Sequence, residues 1–237
     1  MGRNNWFEFK QFRIEQQRSA MKVGTDGVLL GSWTPVKNAQ RILDVGTGTG
    51  IVALMLAQRS KAQIDAVEID SLAATEAKFN FDQSAWKHRL RVHNIEFQSF
   101  ASASSQKYDL IVSNPPFFTN SLKTSDPALT LARHNDSLPF DELILGAHRL
   151  LTETGRFCVI IPIDNFTQFR ESARLVGFYL GQLAYVIPKT GKAYKRILLE
   201  FTVEKGYPEA CEIVILDPQG EFTDQFKSLT SPYYPAF

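Results

Sequence analysis

An apolar run ends in alternating glycines at Ile42-Leu-Asp-Val-Gly-Thr-Gly-Thr-Gly50 and passes directly into a helical pattern. Gly46, Gly48 and Gly50 allow backbone to approach a ligand laid across a strand end, and such turns often use the positive φ that side chains resist. The G-x-G-x-G spacing, with Asp44 two residues ahead, differs from the G-x-G-x-x-G of dinucleotide sites. No Gly-Lys-Ser/Thr follows, which excludes a P-loop. Eighteen residues past Gly50, Val67-Glu68-Ile69-Asp70 closes the next strand. An acid there is placed to accept hydrogen bonds from ribose hydroxyls. Glu68 is the better candidate, because Asp70 reads as the N-cap of the following helix. A third apolar strand, Asp109-Leu-Ile-Val-Ser113, ends in Asn114-Pro-Pro-Phe117. Proline has a fixed φ and no N–H, so it holds a carbonyl rigidly at that strand end.

Asp44, the glycine turn and Glu68 together resemble the S-adenosylmethionine site of Rossmann-like class I methyltransferases. The Asn114–Phe117 segment resembles the amino-methyltransferase signature. The resemblance implies S-adenosylmethionine as cofactor and Asn114, Pro115 and Phe117 as the catalytic set. The residue types suit that chemistry. An exocyclic amino group is a poor nucleophile because its lone pair is delocalised into the π system. The Asn114 side-chain carbonyl and the Pro115 backbone carbonyl can accept its two N–H bonds and aim the lone pair, while Phe117 offers a stacking face. The implied cofactor contacts are Asp44, Gly46, Gly48, Gly50, Glu68, Ile69, Glu96, Phe97 and Asn114. Glu96, in His93-Asn-Ile-Glu-Phe97, stands where related enzymes hold the adenine amino group, and it also reads as a solvated loop acid. Lys22, Thr25 and Asp26 are candidates to close over the methionine end; alternatively, Thr25 or Asp26 caps a short helix at 27–33. No metal is expected, since His88, His93, His134 and His148 show neither metal nor triad spacing.

The elements that must position these groups follow an α/β rhythm from about residue 40. Strands are predicted at 41–45, 64–69, 90–94, 108–113, 155–161, 178–187 and 197–203, and helices at 50–59, 72–83, 140–151 and 165–175. Only Pro188–Arg196 separates the last two strands, too little for a parallel crossover, so they should pair as an antiparallel hairpin. The expected fold is therefore an α/β, mostly parallel seven-stranded sheet with an antiparallel last strand. A small N-terminal addition over residues 1–40, with a strand-like Phe9–Ile14, should pack on the single domain 1–237. A further strand is expected at 212–216. The long connection 116–138 lacks a strand period, which marks it as functional or mobile.

Composition sets the outer bounds. The 237 residues are 44% hydrophobic, with 26 Lys+Arg against 25 Asp+Glu, as in an ordinary globular protein. Cys158 and Cys211 are in no CxxC spacing, which argues against a disulfide scaffold or structural zinc. No apolar run approaches the ~18 residues of a membrane span and the N-terminus has no apolar signal core, so a cytoplasmic protein is expected. A net charge of +1 excludes indiscriminate coating of nucleic acid. Basic residues nevertheless cluster: residues 186–196 hold four basic and no acidic side chains.

With these motifs placed, the chain resembles the bacterial valine-tRNA adenine-N6 methyltransferase family over nearly its whole length. The flanking matches are Phe12-Arg-Ile-Glu-Gln16, Met21–Gly31, Leu131-Ala-Arg-His134, Gly191-Lys192, Arg196–Glu200 and Leu229–Tyr234. Asn135 departs from an expected Glu, and Glu96 from the usual Asp. The resemblance implies methylation of N6 on the adenine just 3′ of the anticodon, with the tRNA anticodon stem-loop as partner and a monomer as the acting species. Phosphate neutralisation singles out Lys189, Lys192, Lys195 and Arg196 as RNA contacts, with Arg13 and Arg133 beside them; each also reads as part of a solvated charged surface. Relatives that modify guanine N2 in rRNA or glutamine in proteins share the cofactor and Asn-Pro-Pro-Phe motifs, and a non-catalytic RNA-binding module is a third alternative.

Overall fold

A computed structural model of the chain describes residues 4–19, 21–116 and 138–235. Phe117, Arg133 and Asn135 lie outside the described residues. The order of elements is β1 (Trp6–Glu8), β2 (Arg13–Glu15), α1 (Thr25–Trp33), β3 (Arg41–Val45), α2 (Ile51–Arg59), β4 (Gln63–Glu68), α3 (Ser71–Gln83), β5 (Leu90–Asn94), α4 (Phe97–Ala103), β6 (Tyr108–Ser113), α5 (Phe140–Leu150), β7 (Leu151–Pro162), α6 (Phe166–Leu175), β8 (Tyr179–Lys189), β9 (Arg196–Thr202), β10 (Glu209–Leu216) and α7 (Asp224–Thr230).

The large sheet has the order β10-β8-β9-β7-β6-β3-β4-β5. Strands β3 to β7 run parallel, while β9 is antiparallel to both β7 and β8, as the short Pro188–Arg196 link requires. Among the described residues the large sheet has eight strands rather than seven. The segment expected as a separate short strand at 212–216 pairs in parallel with β8 over Glu209–Leu216 and extends the sheet. It reverses direction from β9, so it needs no crossover helix. Its burial pattern is mostly exposed at the start, which weakened its apolar signal.

Burial explains the layering. The parallel strands read as continuous apolar runs because both faces are covered. One face packs Ile42, Ile64, Leu110 and Ile160 against α1, α2 and the N-terminal hairpin. The other packs Leu43, Val67, Ile111 and Phe157 against α4, α5 and α6. Helix α2 is buried from Ile51 through Ala57, sandwiched between sheet and α1. Gly31 makes that approach possible, since a Cβ there would lie 2.7 Å from Met55 Sδ.

The N-terminal addition differs from expectation. Residues 9–12 form the turn of a β1–β2 hairpin, with Phe9 N–H donating to Phe12 C=O at 2.9 Å, instead of the middle of a strand. Phe9 and Phe12 are buried and stack on each other, Phe9 also on Tyr234 of the C-terminal tail and Phe12 edge-on against Trp86. Tyr233 from the same tail is buried and donates its hydroxyl to Met55 C=O at 3.0 Å. The N-cap of α1 is Gly24, without a side-chain cap, so neither Thr25 nor Asp26 plays the capping role. Among the described residues no helix is long and apolar enough to cross a membrane.

Candidate active site

Strands β3, β4, β5 and β6 end together: Val45 is level with Val67 and Ser113, and Glu68 with Asn94. Beyond Val45 the chain continues to β4 and β5 on one side and returns to β6 and β7 on the other. The gap between β3 and β6 is thus the switch point where α/β sheets open a crevice. A cavity of about 540 Å³ lies there, lined by Gly46, Gly48, Glu68, Ile69, Phe97 and Asn114 among others.

The glycine turn is held from β4. Gly46 and Thr47 donate their N–H groups to Val67 C=O at 2.9 and 3.2 Å. Gly46 and Gly48 have φ of 70° and 56°, and a Cβ on either would meet no atom within 4 Å, so the turn forms an open floor to the cavity. Gly50 has a different task. It is the left-handed N-cap of α2, and a Cβ there would lie 2.5 Å from Phe81 Cε1. It packs on α3 and does not line the cavity.

Asp44 is likewise placed behind the turn. Its carboxylate is buried and accepts from Thr47 Oγ1 at 2.6 Å and Ala53 N–H at 3.2 Å, tying the turn to the start of α2. Burial pushes its pKa up to about 7; the nearby Glu68 charge adds to the rise, and the two hydrogen bonds oppose it.

Glu68 is buried at the end of β4, with its carboxylate spanning two backbone amides: Gly48 N–H at 2.8 Å and Asp70 N–H at 3.0 Å. Each oxygen keeps a lone pair for a ligand. Asp70 is the N-cap of α3, accepting from Ala73 N–H at 2.7 Å, as its position after the strand suggested. Asn94 Nδ2 donates to the carbonyls of Glu68 and Ile69, fixing the strand end. Ile69 is exposed on the lip, and Phe97 is buried beneath α5 against Gly146. Glu96, the N-cap of α4, is exposed at the rim and accepts weakly from Ser99 Oγ at 3.4 Å.

Across the cavity, Ser113 Oγ donates to Val45 C=O at 2.9 Å and anchors β6 to β3. The next residue is Asn114. Its Oδ1 is sealed from solvent and has no hydrogen-bond partner among the described residues. A buried acceptor without a donor costs about 1–3 kcal/mol. Pro115 is buried beside it and also lines the cavity.

The other expected contacts lie elsewhere. Lys22 points to Asn4 C=O at 3.4 Å and lines a neighbouring hollow. Asp26 accepts from Arg196 Nε at 2.8 Å, so a residue expected at the cofactor and one expected on RNA are spent largely on each other. Thr25, exposed at the start of α1, does not line the cavity. Arg13 lies over the Trp6 ring and pairs with Glu15 and Glu8. Lys189, Lys192 and Lys195 cluster in the β8–β9 turn. Because β9 is reversed, this turn sits at the same sheet end as the cavity, with Arg196 level with Pro162 at the exit of β7.

Sequence reasoning missed Ser19, Met21, Ile95, Ser113 and Leu138 in the lining. Ser113 and Ile95 were reachable, each being a strand-end neighbour of a motif residue. It also missed Glu76 and Asn80, two polar side chains on the buried face of α3. Glu76 accepts from the backbone N–H groups of Gln17, Arg18 and Ser19 at 2.6 to 2.8 Å. These bonds pull its pKa below the ordinary carboxylate value in spite of burial, which acts in the opposite direction.

Residues 19–170 match the Methyltransferase small domain family. Over 97% of its length the chain is 45% identical to a Bacteroides fragilis protein named tRNA1(Val) (adenine(37)-N6)-methyltransferase, 97% of which is covered. Relatives from Trichodesmium erythraeum (44% identity, 97% of this chain and 98% of the relative) and Cronobacter sakazakii (40%, 98% and 96%) bear the same name. The chain belongs to this tRNA1(Val) (adenine(37)-N6)-methyltransferase family. In fold, this family member is similar to a predicted O-methyltransferase from Agrobacterium tumefaciens (TM-score 0.68, 17% identity, 88% of this chain and 96% of that one). It is also similar to a ribosomal protein L11 methylase from Lactobacillus delbrueckii subsp. bulgaricus (TM-score 0.57, 17%, 80% and 84%). The fold is that of Rossmann-like class I methyltransferases. Among the described residues of this family member, no group of three or more His, Cys, Asp or Glu could hold a metal ion.

Proposed function

We propose that this chain methylates N6 of adenine 37 in the anticodon loop of tRNA1(Val), using S-adenosylmethionine bound across the glycine turn. The observation that carries the reading is the buried, unpartnered Oδ1 of Asn114, a residue that lines the same cavity as the glycine turn and Glu68. The names of the relatives supply the substrate.

The residues present fit the cofactor. The open space above Gly46 and Gly48 suits a ligand lying close to backbone. Glu68, oriented by two amides, accepts from ribose hydroxyls; Ile69, Ile95 and Phe97 bound an apolar slot for a purine, with Glu96 at its rim. When bound, S-adenosylmethionine supplies an electrophilic methyl group. Asn114 Oδ1 and the Pro115 carbonyl hold the target amino group through its N–H bonds, which draws its lone pair out of conjugation and fixes its direction. Positioning of this kind can contribute on the order of 7–11 kcal/mol to a rate. No side-chain base is needed, because the methylated amine loses its proton to water.

A loop adenine is already partly unstacked, so extruding it costs a few kcal/mol at most. Phe117 is the stacking partner that the Asn-Pro-Pro-Phe motif offers, and Lys189, Lys192 and Lys195 are the backbone contacts. With tRNA as its substrate, the proposed place of action is the cytoplasm, and the proposed acting species is a monomer. The test is to incubate the protein with methyl donor and total tRNA from cells lacking it, then map N6-methyladenosine by mass spectrometry. Methyl appearing at adenine 37 is expected; label in rRNA or protein with none in tRNA would overturn the reading.

A further inference from the structure

Beside the cavity, and sharing Met21 with it, lies a second hollow of about 510 Å³ lined by Asn4, Trp6, Phe7, Gln16 and Lys22. The chemistry above uses none of these side chains. Trp6 is 40% exposed and lines this hollow. It is also well braced. The Arg13 guanidinium sits 4.0 Å from the indole centroid and is itself held by Glu15 at 3.1 Å and Glu8 at 3.9 Å. Strand β1 pairs Trp6 with Glu15, and Glu15 is fixed to α3 through both backbone groups by Asn80. The ring is therefore a rigid platform at a set position relative to the glycine turn. Arg13 covers one face of the ring and is neutralised by its two carboxylate partners, so the positive charge available at the wall is that of Lys22.

A target adenine turned into the cavity leaves its neighbours in the loop without a stacking partner on one side. An aromatic face next to the entrance, with the Lys22 ammonium in the same wall, replaces that partner; stacking on protein aromatics is tolerant of base identity because every base has a π face. We infer that Trp6 forms a second nucleobase subsite, stacking one of the nucleotides that flank the methylated adenine, with Lys22 beside the adjoining phosphate. The inference rests on the reading of the cavity as an adenine site in RNA.

Fluorescence anisotropy of a labelled anticodon stem-loop tests it independently of turnover. Trp6→Ala should weaken binding about 5- to 150-fold, the range that loss of one base–aromatic stack produces, while Trp6→Tyr restores most of it. The KM for RNA should rise with kcat nearly unchanged, and S-adenosylmethionine affinity by calorimetry should stay as in wild type. Abasic substitution of each flanking nucleotide then locates the stack: at one position the penalty seen with wild type should vanish in Trp6→Ala. Unchanged RNA affinity in Trp6→Ala, or abasic penalties that add fully to it at every flanking position, overturns the subsite. If Trp6→Ala lowers cofactor affinity and melting temperature with Trp6→Tyr giving no rescue, Trp6 is a structural residue and the inference fails. A wild-type protein that binds the stem-loop but leaves adenine 37 unmodified would overturn the reading of the cavity, and the anisotropy result would still stand on its own.

Discussion

Asn80 donates one amide hydrogen to Thr49 C=O in the glycine turn and the other to Glu15 C=O in the N-terminal hairpin, both at 2.9 Å. One side chain of α3 thus joins the glycine turn to a segment more than thirty residues earlier in the chain. Four residues before it, Glu76 captures three successive amides of the strand's exit. Together they make the hairpin part of the cavity's frame.

Replacing Glu76 by Ala strands those three amides, of which Ser19 N–H is buried. A loss of about 2–4 kcal/mol is expected, or roughly 5–15 °C in melting temperature at this chain length. The carboxylate's contribution is present above the ordinary Glu value and disappears as pH falls through its lowered folded pKa, so wild type and Glu76→Ala should converge in acid. Melting curves at pH 7 and below pH 4 check both points.

Glu68→Ala and Asn114→Ala should separate binding from turnover. The first removes the acceptor for Gly48 N–H and for the ligand, and should weaken S-adenosylmethionine about 10- to 100-fold by calorimetry. The second should leave that affinity nearly intact and cut kcat by about 100- to 1,000-fold, the scale of losing one preorganised polar contact to the reacting group. An Asn114→Ala enzyme with a wild-type rate would remove Asn114 from the mechanism.

The glycines make a contrasting pair. Gly50→Ala forces Cβ to within 2.5 Å of Phe81 at a φ of 83°, so a stability loss of about 2–5 kcal/mol is expected. Gly48→Ala meets no protein atom and costs only the left-handed backbone, about 1–2 kcal/mol. Its Cβ would enter the open space proposed for the cofactor, so its main effect should be on cofactor affinity. Thermal melting beside calorimetry for the two variants distinguishes frame from floor.

Asp44 gives a pH signature. Its folded pKa, pushed up to about 7, lies above the unfolded value, so the stability it contributes is complete below pH 4 and is lost as pH rises through 7. Asp44→Asn removes that titration. From pH 4 to 7 the stability difference should move in the variant's favour by up to ~1.4 kcal/mol per pH unit; a difference independent of pH would show that Asp44 does not titrate in this range.

Charge reversal at Lys192 and Lys195 should weaken tRNA binding and reduce the slope of log affinity against log salt by roughly 1–2. Unchanged affinity and slope would place the RNA elsewhere.

The parts of this site legible in the sequence are those made by neighbours in the chain. The glycine turn, Glu68 and Asn114 each follow an apolar strand directly, and parallel pairing brings the strand ends level. The antiparallel β8–β9 pair followed from a link too short for a crossover. What stayed hidden depends on partners far apart: Asp26 resembles a cap until Arg196, 170 positions away, is seen beside it. Phe9 and Phe12 resemble strand residues because they are apolar, yet they pack against rings remote in the chain, Phe9 on Tyr234 and Phe12 on Trp86. Strand β10 was understated because its first half faces solvent.

The reversal of β9 separates two properties that proteins often find hard to change independently. Every residue from 190 to 195 is exposed, while the stems on either side bury Leu183, Ala184, Ile197, Leu198 and Leu199 in the core. Thr190 and Tyr194 tie that tip to Leu216 and Glu212 of β10, so its length is fixed by the sheet while the charges at 192 and 195 are not; on the proposed reading of those lysines as RNA contacts, descendants could shift their target range by recharging these two positions and inherit the same chemistry intact.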